Sequence, residues 1–190
     1  MSDNQENLLS NGQWLNEPKV WKNDQGSITL TTDKGTDFWR ETFSNVIRDT
    51  GHFFGVKTGS EFTAQVRVCG KFEKHYDQAG IMVRIDDKNW MKSGIEYSGG
   101  LPKLGSVITN VKSDFAASDY HGDAKDFYMK VSVGKGTLRL YVSSNGGDWS
   151  LIRLAPFPEA DHYLVGPMAS TPEREGLEVT FSDFNLSAAM

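Results

Sequence analysis

Apolar residues alternate with polar ones at a period of two along much of this chain, and this spacing decides which secondary structure it can form. The clearest run is 61–68, where Phe62, Ala64, Val66 and Val68 fall on one side. Side chains of a strand point alternately to opposite faces, whereas an amphipathic helix repeats its apolar face about every 3.6 residues. The same alternation recurs at 27–31, 81–85, 90–97, 105–112, 127–133, 138–142 and 177–181. The pattern therefore predicts an all-β protein with ten or more strands.

Turn sequences separate these runs. Glycine-rich or Asx-rich segments stand at 86–89, 134–136 and 145–148, and such residues favour tight reversals of the chain. Many short strands joined by turns are typical of two antiparallel sheets packed against each other. We therefore predict a two-sheet antiparallel β-sandwich. The only stretch with some helical character is 45–49.

The length of the chain fits one domain. Its 190 residues are close to the size of many single all-β domains, and we find no internal repeat or linker. Residues 1–13 are polar, and we expect them to form a flexible N-terminal segment. A single sandwich domain is expected over 14–190.

Composition and charge exclude several functions. A formal net charge of −5 without any basic run argues against nucleic-acid binding. No apolar stretch reaches the ~18 residues of a membrane span, and the polar, acidic N-terminus lacks the features of a signal peptide. The single cysteine, Cys69, cannot form an internal disulfide. We therefore predict a cytoplasmic protein that binds neither membranes nor nucleic acids.

Within 81–112, the side of the strands opposite the aliphatic one carries chemically active groups. The side chains that alternation assigns to this face are Met82, Arg84, Trp90, Lys92, Glu96 and Asn110. If the three strands are neighbours, Trp90 would stack on a sugar ring while the polar groups bind its hydroxyls. The alternative is an ordinary polar face, with Trp90 in the core and Glu96 paired across strands with Arg84 or Lys92.

Two further segments supply candidate residues. Trp39 and Arg40 follow a turn and would form the wall of a binding cleft, or else an edge strand with Trp39 in the core and Arg40 in solvent. Asp77 and Gln78 precede a strand and would orient Arg84 or contact a ligand directly. The alternative for this pair is a turn in which Asp77 supplies a local hydrogen bond.

We find no recognised pattern for a metal, a cofactor or a catalytic nucleophile. The four histidines are far apart, and no two have the spacing of a zinc site. No phosphate-binding loop or nucleophile elbow occurs either. We therefore expect no metal and no cofactor. A glycosidase needs two carboxyl groups at a defined separation, and Glu96 with Asp77 or Asp37 is the pairing that stays open.

Several runs of the chain resemble one widespread domain family. These are DFWRET (37–42), YDQAGIMVR (76–84), NWMKSGIE (89–96), SVITN (106–110), WSLIR (149–153), GPMAS (166–170) and GLEVTFSDF (176–184). The resemblance extends over roughly 14–187 and is to the family of unknown function typified by the yeast "regulation of enolase" proteins. It implies a concanavalin A-like lectin/glucanase sandwich of jelly-roll topology, with a concave face that binds sugars in many relatives.

The resemblance implies binding and no particular reaction. Glucanases of this superfamily often carry a Glu-x-Asp-x-x-Glu run on one strand, and the strand of Glu96 lacks it. We predict a non-catalytic protein that binds a carbohydrate or sugar-like metabolite on the concave face and acts in the regulation of carbohydrate metabolism. The residues predicted to bind the ligand are Trp39, Arg40, Asp77, Gln78, Arg84, Trp90, Lys92, Glu96 and Asn110.

Two alternative functions stay open. The first is a protein-interaction regulator of a metabolic enzyme such as enolase, which would use the same surface or the loop 98–103. The second is a glycoside hydrolase that uses Glu96 with another carboxylate.

Overall fold

Two large antiparallel sheets account for most of the protein, in agreement with the sandwich that the alternation predicts. The computed structural model describes residues 8–190 of the chain. In spatial order, sheet 1 consists of β1 (Gln13–Leu15), β6 (His52–Thr58), β16 (Tyr163–Ser170), β8 (Gln78–Arg84), β9 (Asn89–Ser98), β10 (Leu101–Asn110) and β11 (Lys112–Ser113), with β12 (Ala116–Asp119) also paired to β10. Sheet 2 consists of β15 (Ser150–Pro156), β14 (Thr137–Ser143), β13 (Asp126–Gly134), β7 (Phe62–Gly70), β17 (Glu178–Ser187), β3 (Ser27–Thr31) and β2 (Val20–Asp24).

The main core lies between the two sheets and takes one side of each strand. Ile81 and Met91 enter it from sheet 1, and Val66, Val131 and Phe181 enter it from sheet 2; all five are fully buried. Removal of this apolar surface from water is the main force that holds the sheets together. Because side chains alternate along a strand, the other side of sheet 1 faces away from this core, and we call it the outer face.

A small hairpin lies on the outer face of sheet 1. It consists of β4 (Phe38–Arg40) and β5 (Ile47–Asp49), which pair with each other and with no strand of the two large sheets. Phe38 is fully buried in a second apolar cluster with Met82, Trp90 and residues of neighbouring strands. The hairpin is therefore anchored by a core of its own, separate from the one between the sheets.

One local prediction needs correction. Residues 8–13 do not form a free tail, because Leu8–Asn11 is a short 3-10 helix and Leu9 is buried against Ile28 and Phe54. Residues 1–7, the rest of the predicted flexible segment, lie outside the described residues. The stretch at 45–49, whose helical character is too short to predict a helix, contains β5, which pairs with β4. In the described range, no helix is long and apolar enough to cross a membrane.

Candidate functional site

The outer face of sheet 1 brings together side chains from three neighbouring strands. β9 pairs with β8 on one side and with β10 on the other, as the sequence hypothesis requires. The register places Arg84 opposite Trp90, Met82 opposite Lys92, and Gln78 opposite Glu96. Directly paired residues share a face, so the predicted grouping along β8 and β9 is confirmed.

Asn110 is not part of this group, and its assignment to the outer face is wrong. It is paired with Asn89, while its neighbour Thr109 is paired with Trp90. Thr109 therefore takes the place on the outer face, and Asn110 lies on the opposite side at the exposed end of β10. The sequence misleads here because Val107 and Ile108 are both apolar, so alternation alone does not decide which of them faces the core.

Trp90 belongs to the covered part of the outer face. Its side chain has no exposed surface, and its ring centroid lies 5.9 Å from that of Phe38 in the hairpin. The indole Nε1 is buried and has no hydrogen-bond acceptor among residues 8–190. Trp90 is therefore a core residue, and the prediction that it stacks on a ligand is corrected by the hairpin that covers it.

Arg84 is also covered by the hairpin. Its guanidinium donates two hydrogen bonds to Asp49, from Nη1 to Oδ1 at 2.7 Å and from Nη2 to Oδ2 at 2.8 Å. The Cζ atom lies 5.9 Å from the ring centroid of Phe38. A buried guanidinium needs such a bidentate partner to offset its loss of hydration. Arg84 therefore holds β5 in place, and its donors are not directed at a ligand.

Lys92 stands at the boundary of the covered part. Its Nζ donates to Asp37 Oδ1 at 2.9 Å and to Gln78 Oε1 at 2.7 Å, and the residue is only 5% exposed. Asp37 Oδ1 in turn accepts the backbone amide of Phe38. The charges of Lys92 and Asp37 therefore compensate each other, and Gln78 is fixed beside them.

Trp39 and Arg40 are neighbours on β4, so their side chains point to opposite sides of the hairpin. Arg40 is buried, donating its amide to Ser113 Oγ and its Nε to the carbonyl of Val111 at 3.0 Å. Trp39 is half-buried, and its Nε1 donates to the carbonyl of Thr42 within the hairpin. Arg40 thus joins the hairpin to β11 and to Val111, which precedes it, and neither side chain lines the open part of the outer face.

Asp77 has a structural role at the start of β8. It is fully buried, accepts the backbone amides of Glu73 and Lys74, and forms a two-point ion pair with Arg174. Burial alone would raise the pKa of Asp77, but Arg174 and the two amides outweigh it and keep that pKa below its usual value. The turn interpretation therefore holds for Asp77, which has no oxygen free for a ligand.

The open part of the outer face is a shallow groove, which we call the glycine groove. Its floor is a row of glycines paired across three strands, Gly80 with Gly94 and Gly94 with Gly105. Side chains rise around this floor. Those that line the groove include Gln78, Lys92, Glu96, Val107, Phe115 and Met168.

The three glycines of the floor differ in how much space a side chain would find. A Cβ on Gly80 would lie 1.9 Å from the carbonyl oxygen of Ser93, and one on Gly94 would lie 2.0 Å from that of Ala79. Close approach of the strands therefore excludes any side chain at both positions. At Gly105 a Cβ would meet only ordinary contacts, with Phe115 at 3.5 Å. The backbone therefore does not demand glycine at Gly105, which is buried and where a Cβ would also lie 3.7 Å from the Cβ of Glu96.

Glu96 is the distinctive polar group of the groove. Within the described part of the chain its carboxylate accepts no hydrogen bond and lies in no ion pair, although Lys92, Asp37 and His75 act on it electrostatically. Burial raises the pKa of Glu96 above its usual value, and the charge of Lys92 offsets only part of this rise. The site therefore holds a partly buried acceptor whose hydrogen-bonding capacity is unused.

Sequence reasoning missed three features of the groove. Phe115, half exposed, belongs to the segment between β11 and β12 and reaches the groove only because β12 folds back onto β10. Gly94 and Gly105 carried a usable signal, since glycine inside a strand often marks a place of close approach. Their alignment with Gly80 depends on strand register, which the sequence does not specify.

Comparison with known proteins places the chain in a family. Residues 14–189 match the family described as "Protein of unknown function (DUF1349)". The chain belongs to this family. A Saccharomyces cerevisiae protein named "Regulation of enolase protein 1" is 58% identical over 190 residues, which cover 100% of this chain and 96% of that protein. The resemblance deduced from the sequence motifs is thereby confirmed.

Solved structures support the same fold. The crystal structure of a functionally unknown Saccharomyces cerevisiae protein aligns with a TM-score of 0.95 and 60% identity, covering 96% of this chain and 98% of that one. A carbohydrate binding module, CBM66 from Bacillus subtilis, aligns with a TM-score of 0.55 at 12% identity, covering 92% and 95% of the two chains. At that identity the second match shows only that the two proteins share a sandwich fold.

Proposed function

We propose that this protein is a non-catalytic binding protein, with a neutral carbohydrate or sugar-like metabolite as its ligand in the glycine groove. Its role would be regulatory, in the carbohydrate metabolism of the cytoplasm. The observation that carries the proposal is a side-chain-free floor between an unengaged carboxylate, Glu96, and a half-exposed aromatic ring, Phe115.

Each part of the groove suits one part of a sugar. The glycine floor lets one face of a sugar ring approach the backbone of the sheet. Phe115 offers an aromatic face to the apolar C–H side of that ring. Glu96 accepts hydrogen bonds from sugar hydroxyls, and a hydrogen bond to a charged acceptor is among the strong ones.

The charges of the groove favour a neutral sugar over a phosphorylated one. Lys92 and Asp37 form an ion pair at 2.9 Å, and ionised Glu96 has no ion-pair partner of its own among residues 8–190. A phosphate placed in the groove would meet that charge at short range, and like charges repel. The preference for an uncharged ligand is therefore part of the proposal.

Binding is favoured over hydrolysis because Glu96 has no suitable carboxyl partner. Asp37 is engaged by Lys92 and by the amide of Phe38. Asp77 is fully buried and held by Arg174. A glycosidase needs a second carboxyl group that is free to act as base or nucleophile, and neither candidate from the sequence is free.

The comparisons support the regulatory and sugar-related parts of the proposal. The yeast relative is named for the regulation of enolase, and the module from Bacillus subtilis is named for carbohydrate binding. Cys69, a free thiol, is compatible with the reducing cytoplasm.

Isothermal titration with a panel of neutral mono- and oligosaccharides, together with phosphorylated sugars, tests the proposal. We expect heat of binding from at least one neutral sugar and little from its phosphorylated form. Glu96→Gln and Phe115→Ala should each weaken that binding roughly tenfold. Glu178→Gln is the matched control, since this exposed carboxylate lies on sheet 2, and it should bind like the wild type.

Three results would contradict the proposal. One is the absence of binding by every sugar in the panel. Another is equal affinity of the wild type and Glu96→Gln. The third is cleavage of an oligosaccharide that is lost in Glu96→Gln, because this outcome would favour the hydrolase alternative.

A further inference from the structure

The side-chain amide of Gln78 has one defined orientation at the wall of the glycine groove. Its Oε1 accepts a hydrogen bond from Lys92 Nζ at 2.7 Å, and an ammonium group donates hydrogen bonds but accepts none. The amide oxygen must therefore face Lys92, and Nε2 must face away from it. Asp37 holds the same ammonium group from another side, at 2.9 Å. The ion pair thus fixes the direction in which Gln78 presents its N–H groups.

The Nε2 group of Gln78 has more donor capacity than the protein uses. It carries two hydrogens, and among residues 8–190 its hydrogen-bond acceptor is the carbonyl of Tyr76, at 3.4 Å. That distance is longer than the usual range for an N–H···O bond. Gln78 lines the groove and is only 5% exposed. Because a buried donor without a good acceptor costs free energy, an acceptor supplied by another molecule is favoured at this position.

Glu96 is the direct neighbour of Gln78 across the sheet. The register pairs the two residues between β8 and β9, and directly paired side chains stand next to each other on one face. They are not hydrogen-bonded to each other, since Gln78 uses Nε2 toward Tyr76 and Oε1 toward Lys92. The groove therefore has an N–H donor and a carboxylate acceptor side by side.

The strand on the other side of Glu96 does not satisfy its carboxylate either. Glu96 is paired with Lys103 of β10, so an ion pair between these two side chains is sterically possible. The ammonium group of Lys103 donates instead to Asp119 of β12. Glu96 thus has a cationic neighbour that is engaged elsewhere, and its acceptor sites remain available to a ligand.

A donor beside an acceptor matches two adjacent hydroxyl groups of a sugar. Every hydroxyl both donates and accepts hydrogen bonds. One oxygen of the pair can accept from Nε2 of Gln78 while the neighbouring hydroxyl donates to the carboxylate of Glu96. A ligand with only one of the two hydroxyls would leave one protein group without a partner. Sites built to bind a hydroxyl discriminate strongly against analogues that lack it, for that reason.

We propose that Gln78 and Glu96 together recognise a vicinal diol, that is, two hydroxyls on adjacent carbons of the ligand in the glycine groove. Gln78 is the specificity-determining donor, and Glu96 is the acceptor. The inference rests on the proposed sugar-binding function and adds which part of the sugar is recognised. Sugars that lack either hydroxyl of the pair bind more weakly, even where the rest of the ring is identical.

Isothermal titration with complete and monodeoxy sugars tests the proposal. The probes are the methyl glycosides of glucose, mannose, galactose and xylose, each with its monodeoxy forms. Gln78→Met removes the amide, and Gln78→Glu removes the donor while keeping an acceptor for Lys92. Gln65→Met is the matched control, because Gln65 is a partly buried glutamine on β7 of sheet 2.

The decisive result is the coupling between one side chain and one hydroxyl. We expect both Gln78 variants to weaken binding of the complete sugar roughly tenfold and Gln65→Met to leave it unchanged. For the monodeoxy sugar that lacks the hydroxyl bound by Gln78, the Gln78 variants should bind like the wild type. Glu96→Met should show the same coupling to the adjacent hydroxyl. Because sugars are compared within one variant, a general loss of stability does not alter this pattern.

Two results would overturn the proposal without affecting sugar binding itself. One is an effect of the Gln78 variants that is the same for the complete sugar and for all its monodeoxy forms. The other is coupling of Gln78 and Glu96 to hydroxyls that are not adjacent. If none of the glycosides binds the wild type, the proposed function fails, and this inference fails with it.

Discussion

The outer face of sheet 1 has two halves that share the same strands and differ in how their polar groups are satisfied. In the covered half, under the hairpin, the guanidinium of Arg84 has Asp49, and Trp90 is enclosed by apolar neighbours. In the open half, Gly94 and Gly105 carry no side chain and the carboxylate of Glu96 accepts no hydrogen bond from residues 8–190.

This difference distinguishes the half of the face that stabilises the fold from the half that has groups available for binding. A charge buried during folding needs a partner, and the hairpin supplies one to Arg84 and one to Lys92. A group that folding leaves without a partner has its interactions available for another molecule. On this basis the covered half belongs to the core, and the open half is the surface on which a ligand is expected.

The largest effect is expected from Trp90→Ala in the covered half. Removal of a fully buried indole leaves a large cavity, and such changes cost about 3–5 kcal/mol of unfolding free energy. Urea denaturation measures this cost. Phe115→Ala, which truncates a half-exposed aromatic of the open half, is the matched control and should cost less than about 1 kcal/mol. Equal costs for the two variants would contradict the division of the face.

The second prediction compares two glycines of the same row. Gly80→Ala should destabilise by about 2–3 kcal/mol, because its Cβ would overlap the carbonyl of Ser93 and force the strands apart. Gly105→Ala should cost less than about 0.5 kcal/mol, since its Cβ meets only ordinary contacts. Thermal unfolding of the two variants is the measurement. A large loss in Gly105→Ala would mean that the backbone there demands glycine and that the bare floor has a structural cause.

The third prediction concerns the ion pair that closes the covered half. Asp49→Ala leaves the buried guanidinium of Arg84 without its bidentate partner, and we expect a loss of about 2 kcal/mol, reduced by the partial exposure of Asp49. Asp119→Ala is the control, because its pairing with Lys103 is largely exposed. Urea denaturation of that variant should give nearly the same midpoint as the wild type, because exposed ion pairs contribute little to stability. Equal losses for Asp49→Ala and the control would show that the hairpin is not held by this pair.

The smallest effect is a pH dependence in the open half. A carboxyl group whose pKa is raised on folding contributes stability that is complete below its ordinary pKa and is lost as pH rises through the folded value. The pKa of Glu96 is raised by burial. Glu96→Gln should therefore unfold like the wild type well below the ordinary glutamate pKa of 4.5, and at a higher temperature than the wild type near neutral pH. If the difference in melting temperature between Glu96→Gln and the wild type did not change with pH, Glu96 would not be a partly buried carboxylate without a hydrogen-bond donor.

The sandwich fold and the face assignments in β8 and β9 are predictable from the sequence, because alternation is a property of each strand by itself. In β8 and β9 one set of alternate residues is clearly aliphatic, so the positions of Arg84, Trp90 and Lys92 follow directly. In β10 the two sets are equally apolar around Val107 and Ile108, and the assignment of Asn110 fails for that reason.

The remainder of the site depends on contacts between distant segments. Asp49 reaches Arg84, and Asp37 reaches Lys92, only because a hairpin distant in sequence folds over sheet 1. No periodicity within either strand encodes that placement. The burial of Trp90 and the position of Phe115 at the groove also depend on distant segments. The sequence therefore predicts which side chains of β8 and β9 share a face, but not which half of that face is open.

Two-dimensional NMR during titration with the tightest-binding neutral sugar of the panel can show which half of the outer face a ligand contacts. We expect the backbone amide signals of Gly94, Glu96 and Gly105 to shift in a saturable manner. The indole signal of Trp90 should remain slow to exchange with solvent deuterium throughout. Saturable shifts confined to sheet 2, or a Trp90 indole that exchanges rapidly and moves with the sugar, would contradict a ligand site in the open half beside a closed core.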